Sequence, residues 1–216
     1  MATQFEQSTE LKGKLASYPR EITQPIEDGH EAFMSTFDPS KIIQVGDQIP
    51  AFRMTDATGK EVDSASLLAK GPLLITFYRG EWCAFCNIAI AFLAKRLPDF
   101  QARGVTLVAI TPELPNHSMT MTEKHALQFP VLTDLHNKFA KQLGIVYDQS
   151  SAKGLHDAMG IDLNARNGED TWEVPIPASL LVDESGIVRN AHVDPDFRIG
   201  RLDPKTALEW VDALRK

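Results

Sequence analysis

Cysteine is scarce in this chain of 216 residues, with only two copies, so a disulfide-stapled secreted scaffold is excluded. Long hydrophobic runs are missing too. No stretch reaches the ~18 uninterrupted apolar residues that a bilayer-spanning helix needs, and a membrane is not an expected partner. The first thirty residues lack the apolar segment of a signal peptide, which leads to the expectation of a reducing, cytoplasmic compartment. A basic surplus is absent as well, since 22 Lys and Arg stand against 29 Asp and Glu for a net charge of -7. Nucleic acid would need a basic stripe to neutralise its phosphates, so it is excluded as a partner. What remains is a composition of 43% hydrophobic and 24% charged residues, ordinary for one globular domain with extensions.

Residues 1–40 read as an N-terminal helical extension, with Leu11, Leu15 and Tyr18 at helical spacing before Pro19 and Pro25 interrupt it. Residues 41–216 read as the domain proper. It opens with a hairpin in which Phe52–Thr55 and Lys60–Val62 flank the turn residues Asp56–Gly59. Leu73–Tyr78 is nearly continuous in apolar residues, the mark of a strand covered on both faces, and Val105–Ile110 is a second. Between them Ala89, Leu93, Leu97 and Phe100 recur on one helical face, with Pro98 expected to kink or divide the helix and Gly104 to end it.

Helices are expected over Met121–Leu127 and Asn137–Leu143. This β-α-β-α rhythm implies an α/β fold around a parallel core. It breaks at about residues 147–175, which read as an insertion: a short helical piece near Leu155–Met159, then a polar loop over 164–170, with Pro175 as loop punctuation. A hairpin over 179–193 and an amphipathic helix over Pro204–Leu214 close the chain.

Both cysteines lie in Glu81-Trp82-Cys83-Ala84-Phe85-Cys86-Asn87, directly after the central strand and at the start of the long helix. Unpaired N–H groups and the helix dipole favour a thiolate there, so a thiol pKa below the free value of ~8.5 is expected. Two intervening residues let the second sulfur reach the first one turn along, so the pair can cycle between dithiol and disulfide. Structural zinc would need four ligands, and the six histidines are scattered; two inert buried thiols are the other bland alternative. Arg79, four positions before Cys83, is a candidate to lower the thiol pKa or to assist a peroxide oxygen, against the alternative of a surface arginine. Trp82 is a candidate for packing or substrate contact. His192 and Asp194 read as an ordinary strand-end turn. No metal, flavin or nucleotide site is visible, so no cofactor is expected.

Gly46–Phe52, Gly59-Lys60, Phe77-Tyr78-Arg79-Gly80-Glu81-Trp82-Cys83-Ala84-Phe85-Cys86, Phe129–Asp134 and Leu180–Gly186, in that order, resemble the peroxiredoxin-like branch of the alkyl hydroperoxide reductase/thiol-specific antioxidant family. The resemblance covers about residues 42–214. It implies a thioredoxin-like fold with a central mixed sheet flanked by helices, and a thiol-dependent peroxidase acting on hydrogen peroxide or alkyl hydroperoxides. It also implies a thioredoxin- or glutaredoxin-type reductant and a possible homodimer, for which residues 1–40 are a candidate interface.

Laid on the family's P-x-x-x-T-x-x-C loop, the chain has Arg79 at the proline, Cys83 at the threonine and Cys86 at the peroxidatic cysteine, with Cys83 resolving. Pro177 stands about where the family carries an arginine. The Trp82-Cys83 pair equally resembles thioredoxin, in which the first cysteine attacks; the Ile176-Pro177 pair then resembles the cis-proline that presents backbone to a substrate chain. The alternative functions are a protein disulfide oxidoreductase led by Cys83 and a non-enzymatic redox sensor.

Overall fold

A computed structural model describes residues 2–196, 198 and 200–214. Two helices come first, α1 (Gln4–Leu15) and α2 (Arg20–Thr36). Thr3 and Glu6 close a capping box on α1, each side chain accepting from the other's backbone N–H. Pro25 lies inside α2 instead of ending it. The reason is local: the only carbonyl it deprives of a partner belongs to Glu21, and both residues are exposed to water.

The hairpin is β1 (Arg53–Asp56) and β2 (Glu61–Asp63), followed by α3 (Ser64–Leu68) with Asp63 as its N-cap. Then come β3 (Leu73–Phe77), α4 (Ala84–Lys95), α5 (Leu97–Ala102) and β4 (Thr106–Thr111). Pro98 sits in the first turn of α5, dividing the long helical run as its fixed φ and missing N–H require. The following helix, α6 (Pro115–Lys124), starts six residues earlier than the apolar spacing indicated, because Pro115 is preorganised for the first helical turn. It stops before Ala126, which turns left-handed at φ 48°.

After β5 (Val131–Thr133) come α7 (Lys138–Gln142), β6 (Val146–Asp148), α8 (Lys153–Ala158), α9 (Leu163–Asn167) and β7 (Glu173–Pro175). The segment over 164–170 is therefore not all loop. Asp162 caps α9 by accepting from Ala165 N–H, and Gly168 terminates it in the left-handed region at φ 66°. Pro175 closes a strand, paired opposite Val146 in a two-stranded sheet of β6 and β7. The chain ends with β8 (Ala178–Val182), β9 (Val188–Val193) and α10 (Pro204–Leu214).

The main sheet has seven strands in the order β2-β1-β5-β4-β3-β8-β9. It is mixed: β3, β4 and β5 run parallel, and the other pairs are antiparallel. Alternate residues serve the two faces. Leu74, Leu107, Ala109 and Leu181 pack with α4, α5 and α10, whereas Ile75, Phe77, Val108 and Leu180 pack with Phe52, Phe139 and Leu143 on the other side. Burial on both faces explains why β3 and β4 read as unbroken apolar runs.

No peptide bond among the described residues is cis, so the cis form expected at Ile176-Pro177 is corrected to trans. Where the chain passes from β7 to β8, Ile176 N–H donates to Ile145 C=O and Pro177 C=O accepts from Asp194 N–H, and the bond takes the trans form that X–Pro prefers by ~0.5–1 kcal/mol.

Candidate active site

The central strand β3 hands over to α4 through Tyr78–Trp82. At Gly80 any Cβ would collide with the Trp82 ring and the Glu113 carboxyl, so the tight passage requires glycine. Glu113, buried at the C-terminal end of β4, fixes the passage. Its carboxylate accepts from Glu81 N–H at 2.7 Å and from Arg166 Nη1 at 2.8 Å. Burial pushes the Glu113 carboxyl up to about 7, against the downward pull of the Glu81 N–H and the Arg166 guanidinium.

Cys83 is the N-cap of α4, and its sulfur accepts from Cys86 N–H at 3.3 Å. Arg79 Nη2 donates to the same sulfur at 3.1 Å, and Cys86 Sγ lies 2.6 Å away as a further donor. Arg79 is 5% exposed, which removes the surface-arginine alternative. It is held by Tyr147 Oη at 3.1 Å and Gln149 Oε1 at 3.4 Å, and its guanidinium lies 5.2 Å from the centre of the Trp82 ring. On the inner side, Arg201 Nη2 donates to Cys86 Sγ at 3.5 Å. Burial opposes charge on either sulfur, while the two guanidinium groups favour it. Burial and the bond to Cys86 push the Cys83 thiol well above the ordinary range, whereas against burial the bond to Cys83 and the Arg201 and Arg79 guanidinium groups pull the Cys86 thiol well below it.

The two sulfurs face different spaces. Cys83 lines a cavity of about 390 Å³ together with Arg79, Trp82, Phe85, Gln149 and His156. Cys86 instead lines a small void of about 20 Å³ with Pro177, His192 and Arg201. The structure thus gathers Cys83, Cys86, Arg79 and Trp82 at one site and puts Pro177 behind Cys86. Ile176 belongs to the core on the opposite face of the sheet. His192 Nε2 bonds Gly200 C=O beside this void. Among the described residues, no three His, Cys, Asp or Glu side chains gather as metal ligands.

Sequence reasoning did not find Arg201, Gln149, Tyr147, His156, Glu113 or Arg166. Glu113 carried one usable signal, an acidic residue just past a buried parallel strand, where sheet folds of this kind place chemistry. Arg201 occupies the neighbourhood left without an arginine by Pro177, but it comes from the segment before α10, and no spacing rule links it to Cys86.

Residues 45–191 match the sequence profile of the AhpC/TSA family. The chain belongs to the AhpC/TSA family. Among curated relatives, the thiol-disulfide oxidoreductase ResA of Bacillus anthracis is 25% identical over 161 residues, covering 74% of this chain and 76% of ResA. The peroxidoxin BcpB of Mycobacterium tuberculosis superposes with a TM-score of 0.66 at 18% identity, over 81% of this chain and 99% of BcpB. The reduced 2-Cys peroxiredoxin of Plasmodium vivax gives 0.63 at 21% identity, over 80% of this chain and 82% of that one. Thiol-based oxidoreductase chemistry on a peroxiredoxin form of the thioredoxin-like fold is therefore what the family and the fold support.

Proposed function

We propose that the chain is a thiol peroxidase that reduces hydrogen peroxide or an organic hydroperoxide, with Cys83 as the attacking sulfur and Cys86 as the resolving one. One observation carries this reading: Cys83, whose sulfur is bonded to the buried Arg79 at 3.1 Å, lines a partly open cavity of about 390 Å³, whereas Cys86 is fully buried behind it. This reading takes the roles in the reverse of the order that family register implied, on the ground of access to the cavity, although ionisation favours Cys86.

The Cys83 thiolate attacks the terminal peroxide oxygen and the O–O bond breaks. The alkoxide or hydroxide takes a proton from solvent and leaves as alcohol or water, and Cys83 becomes a sulfenic acid. The Cys86 thiol, 2.6 Å away in the resting dithiol, condenses with it; a disulfide forms and water departs. A thiol reductant of the thioredoxin or glutaredoxin type then attacks Cys83 and restores both thiols, its own sulfurs ending as a disulfide. Arg79 favours the thiolate and is in reach of the peroxide oxygens.

Likeness to ResA favours a second reading, reduction or oxidation of protein disulfides through Cys83. Cys83 is 2% exposed to a protein disulfide and to a protein reductant alike, so activity, not access, separates the two readings.

The deciding experiment measures peroxide consumption and insulin disulfide reduction for the wild type, Cys83→Ser and Cys86→Ser. Expected are peroxide turnover in the wild type alone, a trapped sulfenic acid on Cys83 in the Cys86→Ser protein, and little insulin reduction. Full peroxidase turnover by Cys83→Ser overturns the role assignment. Insulin reduction without peroxide consumption supports the second reading, and oxidation of the pair without turnover points to a sensor.

A further inference from the structure

Oxidation and reduction of the cysteine pair make different demands on access. A peroxide or a small dithiol can enter the partly open cavity of about 390 Å³, but a protein dithiol must bring its sulfur into bonding distance of Cys83, which is 2% exposed. The pair itself needs no rearrangement. Cys83 Sγ and Cys86 Sγ lie 2.6 Å apart at the start of α4, so their bond forms and breaks with the helix intact. What shares the cavity with Cys83 is the N-terminal pair of helices, through Leu11 and Leu15 of α1 and Thr23 and Ile26 of α2. Leu11 and Leu15 pack on the core cluster that holds Cys83 and Phe85.

These two helices are loosely attached. α1 buries only Gln4 and Ser8, both polar, and α2 buries no residue. Gln4 Nε2 donates to Leu202 C=O at 3.2 Å, yet Gln4 Oε1 and Ser8 Oγ have no hydrogen-bond partner among the described residues. α1 packs along α4, while α2 packs on α8 and on the 3-10 turn Ser150–Ala152. Towards its C-terminal end α2 is held more firmly, because the Phe33 ring packs against Phe37 at 5.5 Å and Tyr147 at 5.2 Å. Segments with few buried apolar contacts open at a lower free energy than the whole protein. Both helices also lie outside the segment that matches the family profile, residues 45–191, so they are additions to the common fold.

We propose that α1 and the N-terminal half of α2 form a lid, hinged at the Phe33 end of α2, which opens to let a protein dithiol reach the Cys83–Cys86 disulfide. The proposal rests on the reading of the pair as a redox couple, and it holds whichever oxidant made the disulfide. In the open form a thiolate of the partner attacks Cys83 Sγ, the Cys83–Cys86 bond breaks and Cys86 leaves as a thiolate. The partner's second thiol gives its proton to Cys86 and attacks the mixed disulfide; Cys83 departs as a thiolate, and the partner's two sulfurs end as a disulfide. Opening precedes this encounter, so the rate of reduction scales with the open fraction.

The test forms the disulfide with diamide, so that peroxidase activity is not needed, and measures its reduction by thioredoxin and by dithiothreitol beside amide hydrogen exchange by mass spectrometry. Two substitutions move the lid in opposite directions. Gly29→Ala favours the helix but puts a Cβ 2.2 Å from Ser151 Oγ and 2.5 Å from Ser151 Cβ, which pries α2 off the Ser150–Ala152 turn. Ser8→Ala removes a buried hydroxyl that has no partner among the described residues and favours the helix, which tightens α1. Expected with thioredoxin is reduction roughly fivefold faster in Gly29→Ala and roughly twofold slower in Ser8→Ala, with dithiothreitol rates little changed. Exchange of the α1 amides should change by the same factors, because both quantities read the open fraction. Ser8→Ala alone carries the comparison if Gly29→Ala fails to fold.

Thioredoxin rates that do not follow α1 exchange across these proteins overturn the proposal, and so do α1 amides that exchange no faster than those of β3. Rates that follow exchange in the first turn of α4 overturn it too, since the helix itself would then unwind to expose Cys83. Reduction by dithiothreitol but by thioredoxin in none of the proteins is a further refutation. Each of these leaves the peroxidase reading standing, whereas failure of diamide to join the two sulfurs overturns the redox reading of the pair and the lid with it.

Discussion

Replacing Glu113 by glutamine tests the electrostatic account of the active-site passage. The carboxyl is buried and pushed up from 4.5 to about 7. Between those two values the folded protein keeps a proton that the unfolded chain has released, so stability falls as pH rises through the window. At ~1.36 kcal/mol per pH unit, the ionised carboxylate costs roughly 3 kcal/mol once pH has passed 7. Glutamine stays neutral at every pH and removes this slope. The amide still accepts from one of the two donors, Glu81 N–H or Arg166 Nη1, and leaves the other short of a partner, an offset of about 1 kcal/mol that does not vary with pH. Urea unfolding of both proteins at pH 5, 6, 7 and 8 separates slope from offset. The variant should gain on the wild type steadily across the series, by up to roughly 3 kcal/mol. Parallel pH profiles for the two proteins would refute the reasoning, because they would mean that Glu113 is already ionised at pH 5.

Arg79→Gln removes a charge-assisted bond to Cys83 Sγ, ordinarily ~1.5–3 kcal/mol, and should slow peroxide attack about 10- to 100-fold while moving its pH profile alkaline; Arg79→Lys should recover part of the rate. Stopped-flow kinetics reads both, and an unmoved pH profile counts against a role for Arg79 in thiolate formation. His156 is held neutral by burial, which lowers its pKa from 6.5 to about 4. The unfolded chain therefore gains a proton first as pH falls, and stability should drop by roughly 3 kcal/mol between pH 6.5 and 4, a limb that His156→Phe flattens in thermal melts. Leu107→Ala, in the fully covered strand β4, should cost ~2–5 kcal/mol in urea unfolding with little change in the rate of Cys83 oxidation.

Composition, periodicity and one short motif determined much of this protein. The apolar runs at Leu73–Tyr78 and Val105–Ile110 became the two adjacent parallel strands β3 and β4, because a strand covered on both faces needs no polar alternation. The position of Cys83 at a strand-to-helix junction was legible from order alone, since helix start signals and cysteine spacing are local properties. Local signals also misled where two competed. Spacing of apolar residues put α6 too late, while Pro115 set its true start, and Asp162 with Gly168 made a helix of a segment whose polar composition read as loop.

The remaining decisions belonged to the tertiary structure. Whether Arg79 faced water or sulfur depended on Tyr147 and Gln149, about seventy positions away, and the arginine beside Cys86 arrives from residue 201. Residues 1–40 showed helical spacing, but only packing of α1 against α4 and of α2 against α8 brought them to the cavity beside Cys83. The physical reason is range. Backbone preference and side-chain periodicity act over a few residues and are written in sequence order, whereas burial, ion pairing and cavity shape depend on which distant segments the folded sheet brings within a few ångströms.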